Sequence, residues 1–246
     1  MAKLLYGTAF KAPSPYLLHA APLRLGDVIG NPELKPQLIR TLEYQMSWKP
    51  SGFFGVTSAV AYNWLEQKAE FTPEGSNQTA RNVASQNSLA WETRADLSHY
   101  EDYNIYAAFD LVASKRDLGQ QGYVAELVGE RNVAYPPWIG RAGVIVGVPS
   151  LPRVPLRLGA EGILVGPRRA SDASIVERGE PFTLPSYFML DLSLSTGEIY
   201  LAPGHASRAA LRTRNITVQR GPDPGFAGFE YPLAPAEIFL EIEHSY

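Results

Sequence analysis

Side chains that commonly carry catalysis or bind metals are few and scattered in this chain. Its 246 residues include no cysteine and four histidines, at positions 19, 99, 205 and 244, with no spacing typical of a metal site. No serine lies on a recognisable nucleophile elbow, and no pair of carboxylates forms a recognisable acid–base site. The sequence therefore predicts neither an enzyme nor a bound metal or other cofactor.

Charge and hydropathy argue against two further classes of protein. The chain carries 22 basic and 25 acidic residues, a formal net charge of −3, and no basic block, which gives no support to a nucleic-acid partner. No stretch approaches the roughly 18–20 apolar residues of a membrane-spanning helix. The first residues, 1–7, lack the apolar run and cleavage site of a signal peptide. Neither a nucleic-acid-binding protein nor a helical membrane protein is expected.

Strict two-residue alternation, the period of a β-strand, runs through most of the chain. In residues 42–48 each even position is large and apolar and each odd position is polar. About ten such segments are present, many of them as long as the roughly 9–11 residues that a tilted membrane strand needs. They lie at roughly 3–11, 38–49, 53–69, 85–99, 103–116, 138–149, 154–167, 186–199, 205–217 and 235–246. The pattern predicts an all-β protein with antiparallel strands and no helix longer than two turns.

The predicted connections alternate between short and long. Short turns lie at 49–52, 100–102, 149–152 and 202–204, and long loops at 12–37, 70–84, 117–137, 168–185 and 218–234. Outer-membrane barrels have this arrangement, with short periplasmic turns and longer extracellular loops. The sequence therefore predicts an antiparallel transmembrane β-barrel.

The two faces of the predicted strands differ in polarity. One face is apolar and carries aromatic residues, several near strand ends where a membrane interface favours them: Tyr44, Trp48, Phe54, Tyr62, Trp64, Trp91 and Tyr103. The other carries charges of both signs: Glu43, Glu92, Arg94, Asp110, Arg141, Arg157, Glu161, Asp191, Arg212, Arg214, Glu241 and Glu243. Such charges would be costly in a dry core but not beside a wet lumen. Four arginines of this face are expected to pair across strands with Glu92, Glu161 or Glu241: Arg141, Arg157, Arg212 and Arg214.

Five short segments carry recognisable motifs. They are 6–14 (Tyr-Gly-Thr-Ala-Phe-Lys-Ala-Pro-Ser), 30–37 followed by Glu43, 82–92, 212–216 and the closing strand ending in Tyr246. In this order and spacing they resemble the TonB-dependent outer-membrane receptors, which import iron–siderophore complexes, cobalamin and other scarce nutrients. The motif residues are Gly30, Asn31, Pro32, Leu34, Lys35, Pro36, Glu43, Glu92, Arg214, Asn215 and Tyr246. Val218 stands where the family usually has Asp, and His244 where an aromatic or aliphatic residue is usual.

The resemblance implies that residues 1–246 form one partial barrel domain, about the last ten strands of a 22-stranded barrel, without plug or TonB box. It implies a transport protein of the bacterial outer membrane, surrounded by lipid, with a small nutrient such as a ferric siderophore or cobalamin as its ligand. TonB would act only through the absent plug, and the barrel-assembly machinery would read the terminal Tyr246. The strand at Leu4–Phe10 is expected to form an open edge.

Residues on the long loops are candidates for a ligand vestibule. Aromatic and arginine side chains can stack on, and hydrogen-bond, a planar anionic ferric chelate. The aromatic candidates are Tyr16, His19, Tyr135, Trp138, Phe229 and Tyr231. These side chains could equally pack the loops together. The dipeptides Asn31-Pro32 and Lys35-Pro36 could bind ligand or could direct the chain into extended geometry.

Two other hypotheses remain open at this point. The chain could be an independent small outer-membrane barrel, either a pore or a protease active at its rim. It could also be a soluble all-β binding module, such as a carbohydrate-binding sandwich. Plug-like sequence upstream would favour the receptor, and a monomer soluble without detergent would contradict both membrane hypotheses.

Overall fold

The fold is an antiparallel β-sheet with small additions at one end. The computed structural model describes residues 1–25, 27–99, 102–117, 135–148, 154–202, 205–223 and 230–245. In chain order the described elements are β1 (Ala2–Lys11), α1 (Pro15–His19), β2 (Val28–Ile29), β3 (Gln37–Trp48), β4 (Phe54–Glu74), β5 (Asn77–His99), β6 (Tyr103–Asp117), β7 (Trp138–Val148), β8 (Leu156–Val165), β9 (Arg168–Arg169), α2 (Asp172–Arg178), β10 (Thr183–Leu184), β11 (Tyr187–Thr196), β12 (Ile199–Ala202), β13 (His205–Arg214), β14 (Pro222–Asp223), β15 (Tyr231–Pro232) and β16 (Glu237–Ser245).

Ten long strands form one meander in which each pairs with the next. The order is β1-β3-β4-β5-β6-β7-β8-β11-β13-β16, with β12 beside the first residues of β13. Within the described residues, β1 and β16 are the two edges and do not pair with each other. The predicted antiparallel all-β fold and the open edge at Leu4–Phe10 are confirmed. Long loops leave one end of the sheet, here named the long-loop end, and the opposite end is named the short-turn end.

The expected loop at 70–84 is wrong, because β4 and β5 continue there as a hairpin. The hairpin closes with a two-residue turn between Glu74 and Asn77. In this turn Gly75 has a φ of +64°, which type II′ turns require at their first central position and which glycine adopts without steric cost. At about 3.3 Å per residue, β5 is about 76 Å long and extends far beyond a 25 Å apolar band.

Two other predicted strands end earlier than expected. The strand predicted at 205–217 stops at Arg214, because Asn215 turns the chain with a φ of +50°. The strand predicted at 186–199 stops at Thr196, and the short β12 follows it. Both differences are produced by local turn geometry that the two-residue alternation does not record.

The two faces of the sheet have opposite polarity. Directly paired residues share a face, so the registers assign every side chain of the long strands. All seven aromatic residues predicted for one face lie together on it, here named the apolar face. All twelve predicted charged residues lie on the other, here named the polar face. The predicted segregation of side chains is confirmed.

The apolar side chains of the sheet are more exposed than the polar ones, which is the reverse of the arrangement in a soluble protein. In β3 the apolar side chains are exposed, with 48% of Tyr44 accessible, whereas the alternating polar residues Thr41, Glu43 and Gln45 are half-buried. A soluble sheet buries its apolar face and presents the polar one to water. An exposed apolar face beside a more enclosed polar face is the arrangement that lipid requires.

The tightly buried side chains lie at the long-loop end. On α2, Ile175 packs with Ala170 and Phe182. This helix begins after Ser171, whose hydroxyl accepts the Ser174 N–H, and ends at Gly179 with a φ of +78°. The two described helices have five and seven residues. Among the described residues, no helix is long and apolar enough to cross a membrane.

Arginine substitutions on neighbouring residues of β4 test the assignment of faces. Val60 lies on the apolar face between Tyr44 and Trp91, and Ala59 lies on the polar face between Gln45 and Glu92. We expect Val60→Arg to lower the free energy of unfolding by about 2–4 kcal/mol, because arginine would face the middle of the membrane. Ala59→Arg should change it by less than about 1 kcal/mol, since the new charge lies beside Glu92.

The measurement is urea unfolding of the chain reconstituted in phospholipid vesicles. Equal losses of stability from the two substitutions would contradict the assignment.

Candidate functional site

Charged and aromatic side chains form a network across the polar face. Arg94 pairs with Asp96 at 2.7 Å between Nη2 and Oδ1, and its guanidinium lies 4.2 Å from the centre of the Tyr106 ring. Tyr106 is hydrogen-bonded to Glu161, two strands away. A Cβ on the intervening Gly143 would approach Tyr106 Cζ to 2.9 Å, so glycine leaves room for the ring to cross β7. The network fixes the orientation of polar groups over four adjacent strands.

The predicted ion pairs on this face are partly confirmed. Arg212 pairs with Glu241 as predicted, at 3.5 Å between Nη2 and Oε2. Arg141 instead pairs with Asp110, and Arg214 pairs with Glu237. Sequence reasoning missed the partner of Arg141, because the choice among carboxylates depends on the register of β6 against β7.

An open groove lies on the polar face towards the short-turn end. Its volume is about 540 Å³, and its lining includes Lys3, Gln45, Glu92, Arg94 and Asp110. A row of hydrogen bonds from Thr41 through Asn63 to Ser88 continues across the neighbouring strands. Among the described residues, no group of three or more His, Cys, Asp or Glu side chains could hold a metal ion. The groove offers donors and acceptors to a polar surface or solute.

The motif at 30–36 anchors the first long loop to the β4–β5 hairpin. The N–H of Gly30 donates to the Ala20 carbonyl at 2.8 Å, and a Cβ at Gly30 would approach Ala20 N to 2.5 Å. The side chain of Asn31 donates to the Ala80 carbonyl at 2.9 Å and accepts the Glu33 N–H at 3.0 Å. Glycine is required here because two backbone segments cross at close range.

A second clamp holds the end of the same loop. Asn82 on β5 accepts the Lys35 N–H at 2.7 Å and donates to the Lys35 carbonyl at 3.0 Å. It also donates to the carbonyl of Gln67, which has a φ of +54° at an irregularity in β4. Leu34 is buried beside these contacts. The motif residues Gly30, Asn31 and Lys35 thus hold the loop in place through these hydrogen bonds. A groove of about 420 Å³ opens beside Lys35, Asn82 and Asp117.

Arg168 ties together three segments at the long-loop end. Only 3% of its side chain is exposed, and it donates to the carbonyls of Gly166, Pro185 and Pro222 at 3.1, 3.2 and 2.9 Å. Its Nε lies 3.2 Å from an oxygen of Asp223. Sequence reasoning missed Arg168, because Pro185 and Pro222 are 17 and 54 residues away along the chain and approach it only in the folded protein.

Asn215 organises the turn after β13. It is fully buried, and its side-chain nitrogen donates to the carbonyls of Gln219 and Ala234 at 3.0 and 2.9 Å. Its side-chain oxygen accepts the Gln219 N–H at 2.9 Å and the Thr217 hydroxyl at 3.1 Å. Asparagine combines these four bonds with a left-handed backbone conformation that most residues avoid.

The candidate ligand residues are spread along the rim. Tyr16 and His19 lie on α1, Trp138 begins β7, and Tyr231 lies on β15. The helix α1 lies against β2, which pairs with β5, whereas Trp138 begins β7, two strands farther along the sheet. Tyr16 and Tyr135 are 61% and 69% exposed. Phe229 and Tyr246 lie outside the described residues.

Trp138 differs from the other candidates because it has a packing role. A Cβ added to Gly166 would meet three atoms of the Trp138 indole at 2.8–3.0 Å. The indole therefore packs against the backbone that leaves β8.

One acidic side chain at the short-turn end has an altered pKa. The Tyr200 hydroxyl donates to Glu198 at 2.6 Å, and Arg208 also pairs with this carboxylate. These bonds favour the charged carboxylate and lower the pKa of Glu198 below its usual value, the bond from Tyr200 contributing most. The same bond raises the pKa of Tyr200.

The fold and the segregated faces define a segment of an outer-membrane-type β-barrel wall. A family model described as TonB dependent receptor-like, beta-barrel, matches residues 2–202, and the chain belongs to this family. Proteins of the family are outer-membrane transporters rather than enzymes, as the resemblance implied. No curated protein matches the chain.

Solved receptor structures resemble the whole chain in fold. BauA, the ferric preacinetobactin receptor from Acinetobacter baumannii, has 13% identity and a TM-score of 0.71, and the match covers 100% of this chain and 34% of that one. The pyoverdine receptor FpvA from Pseudomonas aeruginosa PAO1 gives the same four values. The copper transporter OprC has 13% identity and a TM-score of 0.69, covering 100% and 37%. The chain thus spans about a third of the length of these proteins.

Substituting Gly30 tests the loop anchor. Gly30→Ala should force apart the backbone of His19 and Ala20, at a cost of about 1–3 kcal/mol. Hydrogen exchange of the Asn31 amide, which donates to the Leu17 carbonyl, is expected to accelerate at least about fivefold. Gly52→Ala is the matched control, since nothing lies within 4 Å of a Cβ there. Unchanged exchange in Gly30→Ala would show that the loop is anchored elsewhere.

Substituting Asn215 tests the turn after β13. Asn215→Ala should destabilise the protein by about 3 kcal/mol, because buried groups of Gln219 and Ala234 lose their partners. Asn215→Gly loses the same bonds but keeps the left-handed conformation, so it should be about 1 kcal/mol less damaging. Denaturant unfolding measures both. Wild-type stability in Asn215→Gly would mean that only the backbone conformation matters.

Proposed function

We propose that this chain forms part of the barrel wall of an outer-membrane transporter that takes up a scarce nutrient, such as a ferric siderophore or cobalamin. Family membership supports transport as the general activity. The observation that carries the proposal is the exposed apolar face beside a charged, more enclosed polar face. In a closed barrel, the apolar face would contact lipid and the polar face would line the passage.

The long-loop end is the proposed site of ligand capture. Exposed Tyr16 and Tyr135 offer rings for stacking, and Lys35 lies beside a groove whose shape is maintained by Asn82. Aromatic and cationic groups suit a planar, anionic ferric chelate. The anchors at Gly30 and Asn82 would hold the first long loop, with Tyr16 and Lys35, in place at the barrel mouth.

Further partners are proposed on the same basis. The polar groove around Lys3, Glu92 and Arg94 would contact the plug through which TonB acts. Ile238, Leu240 and Ile242 of β16 share the apolar face, and Glu241 and Glu243 share the polar face. Tyr246 has the same parity in the sequence as these three apolar residues, and we propose that the assembly machinery reads it. An independent small barrel is less well supported, since β1 and β16 are unpaired edges in the part described.

Uptake assays test the proposed substrate class. Cells carrying or lacking the gene are given radioactive iron on hydroxamate and catecholate siderophores, labelled cyanocobalamin, or copper salts. We expect loss of the gene to reduce uptake of one siderophore probe or of cobalamin to background, and the protein to be found in the outer-membrane fraction. Loss of copper uptake alone, or no change with any probe, would contradict the proposed substrate class.

Tyrosine substitutions locate the capture site with the probe identified in this way. Tyr16→Ala and Tyr135→Ala should each weaken binding to cells by about 2- to 10-fold, because one stacking contact is worth about 0.5–1.5 kcal/mol. Tyr200 is 67% exposed at the opposite end of the sheet, so Tyr200→Ala is the matched control and should leave binding unchanged. Equal effects at all three positions would remove support for capture at the long-loop end.

A further inference from the structure

Two of the four histidines meet at the short-turn end of the sheet. His205 begins β13 and His244 lies near the end of β16. Nδ1 of His205 is 3.4 Å from Nε2 of His244, and Nδ1 of His244 is 2.9 Å from the Ser207 hydroxyl oxygen. Because Ser207 is paired directly with His244, all three side chains lie on the apolar face. The position of His244 is one where the family usually has an aromatic or aliphatic residue, so the family fold does not account for this pair.

The spacing of the two ring nitrogens suits a shared metal ion. Metal–imidazole distances are about 2.0–2.1 Å, so two nitrogens bound to one tetrahedral ion lie about 3.3–3.4 Å apart. Both rings are exposed, and their planes are inclined by 18° with the ring centres 5.5 Å apart. When His244 donates its Nδ1 proton to Ser207, its Nε2 is left with the lone pair that a metal requires.

The described neighbours of the pair on this face carry no positive charge that would repel a cation. On the apolar face the neighbouring residues of the paired strands are Ile199, Ala209 and Ile242, none of which is charged. Arg208, the nearest basic residue in β13, lies on the polar face with Glu243. No positive side chain of these neighbours competes with a bound ion, and the position at a strand end gives water access to the remaining coordination sites.

We propose that His205 and His244 form a two-histidine site for a divalent transition-metal ion, with Ser207 as a positioning residue. Copper(II) should bind most tightly, with zinc(II) and nickel(II) weaker, following the general order for nitrogen ligands. The site lies on the outward, apolar face at the end opposite the long loops. It is therefore separate from the proposed ligand path. A bound ion would join the last strand to its neighbour.

Titration of the full chain in detergent micelles with copper(II) tests the proposal. We expect one equivalent to bind with an electron paramagnetic resonance spectrum showing two nitrogen ligands. His205→Ala and His244→Gln should each weaken this binding at least tenfold, and Ser207→Ala by about tenfold through loss of orientation.

His19→Ala and His99→Ala are the matched controls. His99 lies at the same end of the sheet and pairs with Asp102 at 3.0 Å, so it reports on a single histidine beside a carboxylate. Both controls should retain wild-type copper binding. Unchanged binding in His205→Ala and His244→Gln, or loss of the copper signal in His99→Ala, would overturn the proposal.

A second readout does not depend on copper spectroscopy. Zinc(II) should slow hydrogen exchange of β16 amides in the wild-type protein, because the ion fastens β16 to β13. Circular dichroism establishes that the variants are folded, and the zinc effect should vanish in folded His205→Ala. Equal protection by zinc in that variant and in the wild type would also overturn the proposal.

Discussion

Backbone groups that face lipid must find their hydrogen-bond partners within the protein, because the membrane interior offers none. The ten long strands satisfy this requirement by pairing in sequence along one uninterrupted meander. A side-chain period of two then fixes which residues meet lipid and which meet the polar face. Within the described sheet, the outer edges of β1 and β16 have no neighbouring strand to supply these hydrogen bonds.

The same constraint determines where variation is possible. In the lipid-facing part, the strands can change side chains but not pairing, so local specialisation is concentrated at the sheet ends. At the long-loop end, Arg168 and Asn215 convert irregular segments into ordered ones by supplying donors and acceptors to backbone groups. At the short-turn end, a histidine pair joins the adjacent strands β13 and β16, and its neighbours Ile199, Ala209 and Ile242 on that face are uncharged.

The candidate site was only partly predictable. The motif residues Gly30 and Asn31 were visible in the sequence, but the contact of Asn31 with Ala80 depends on a hairpin that reaches much farther than expected. The residues at the tip of this β4–β5 hairpin, such as Thr72 and Asn77, lack the alternation of apolar and polar residues that identifies a half-buried strand. Arg168 was not predictable, because the two ends of its own connection and Pro222 of a second connection must meet before its carbonyl acceptors come together.

By itself, the sequence determined the strands, their antiparallel pairing and the polarity of each face, because alternation with period two is a local property of the chain. Tertiary structure decided which charges pair. Asp110 binds Arg141 because register places them on adjacent strands, while Glu161 is occupied by Tyr106 passing over Gly143. It also decided that His205 and His244, 39 positions apart, lie within reach of one ion. Such contacts depend on strand register and loop packing, which residue type and local spacing do not record.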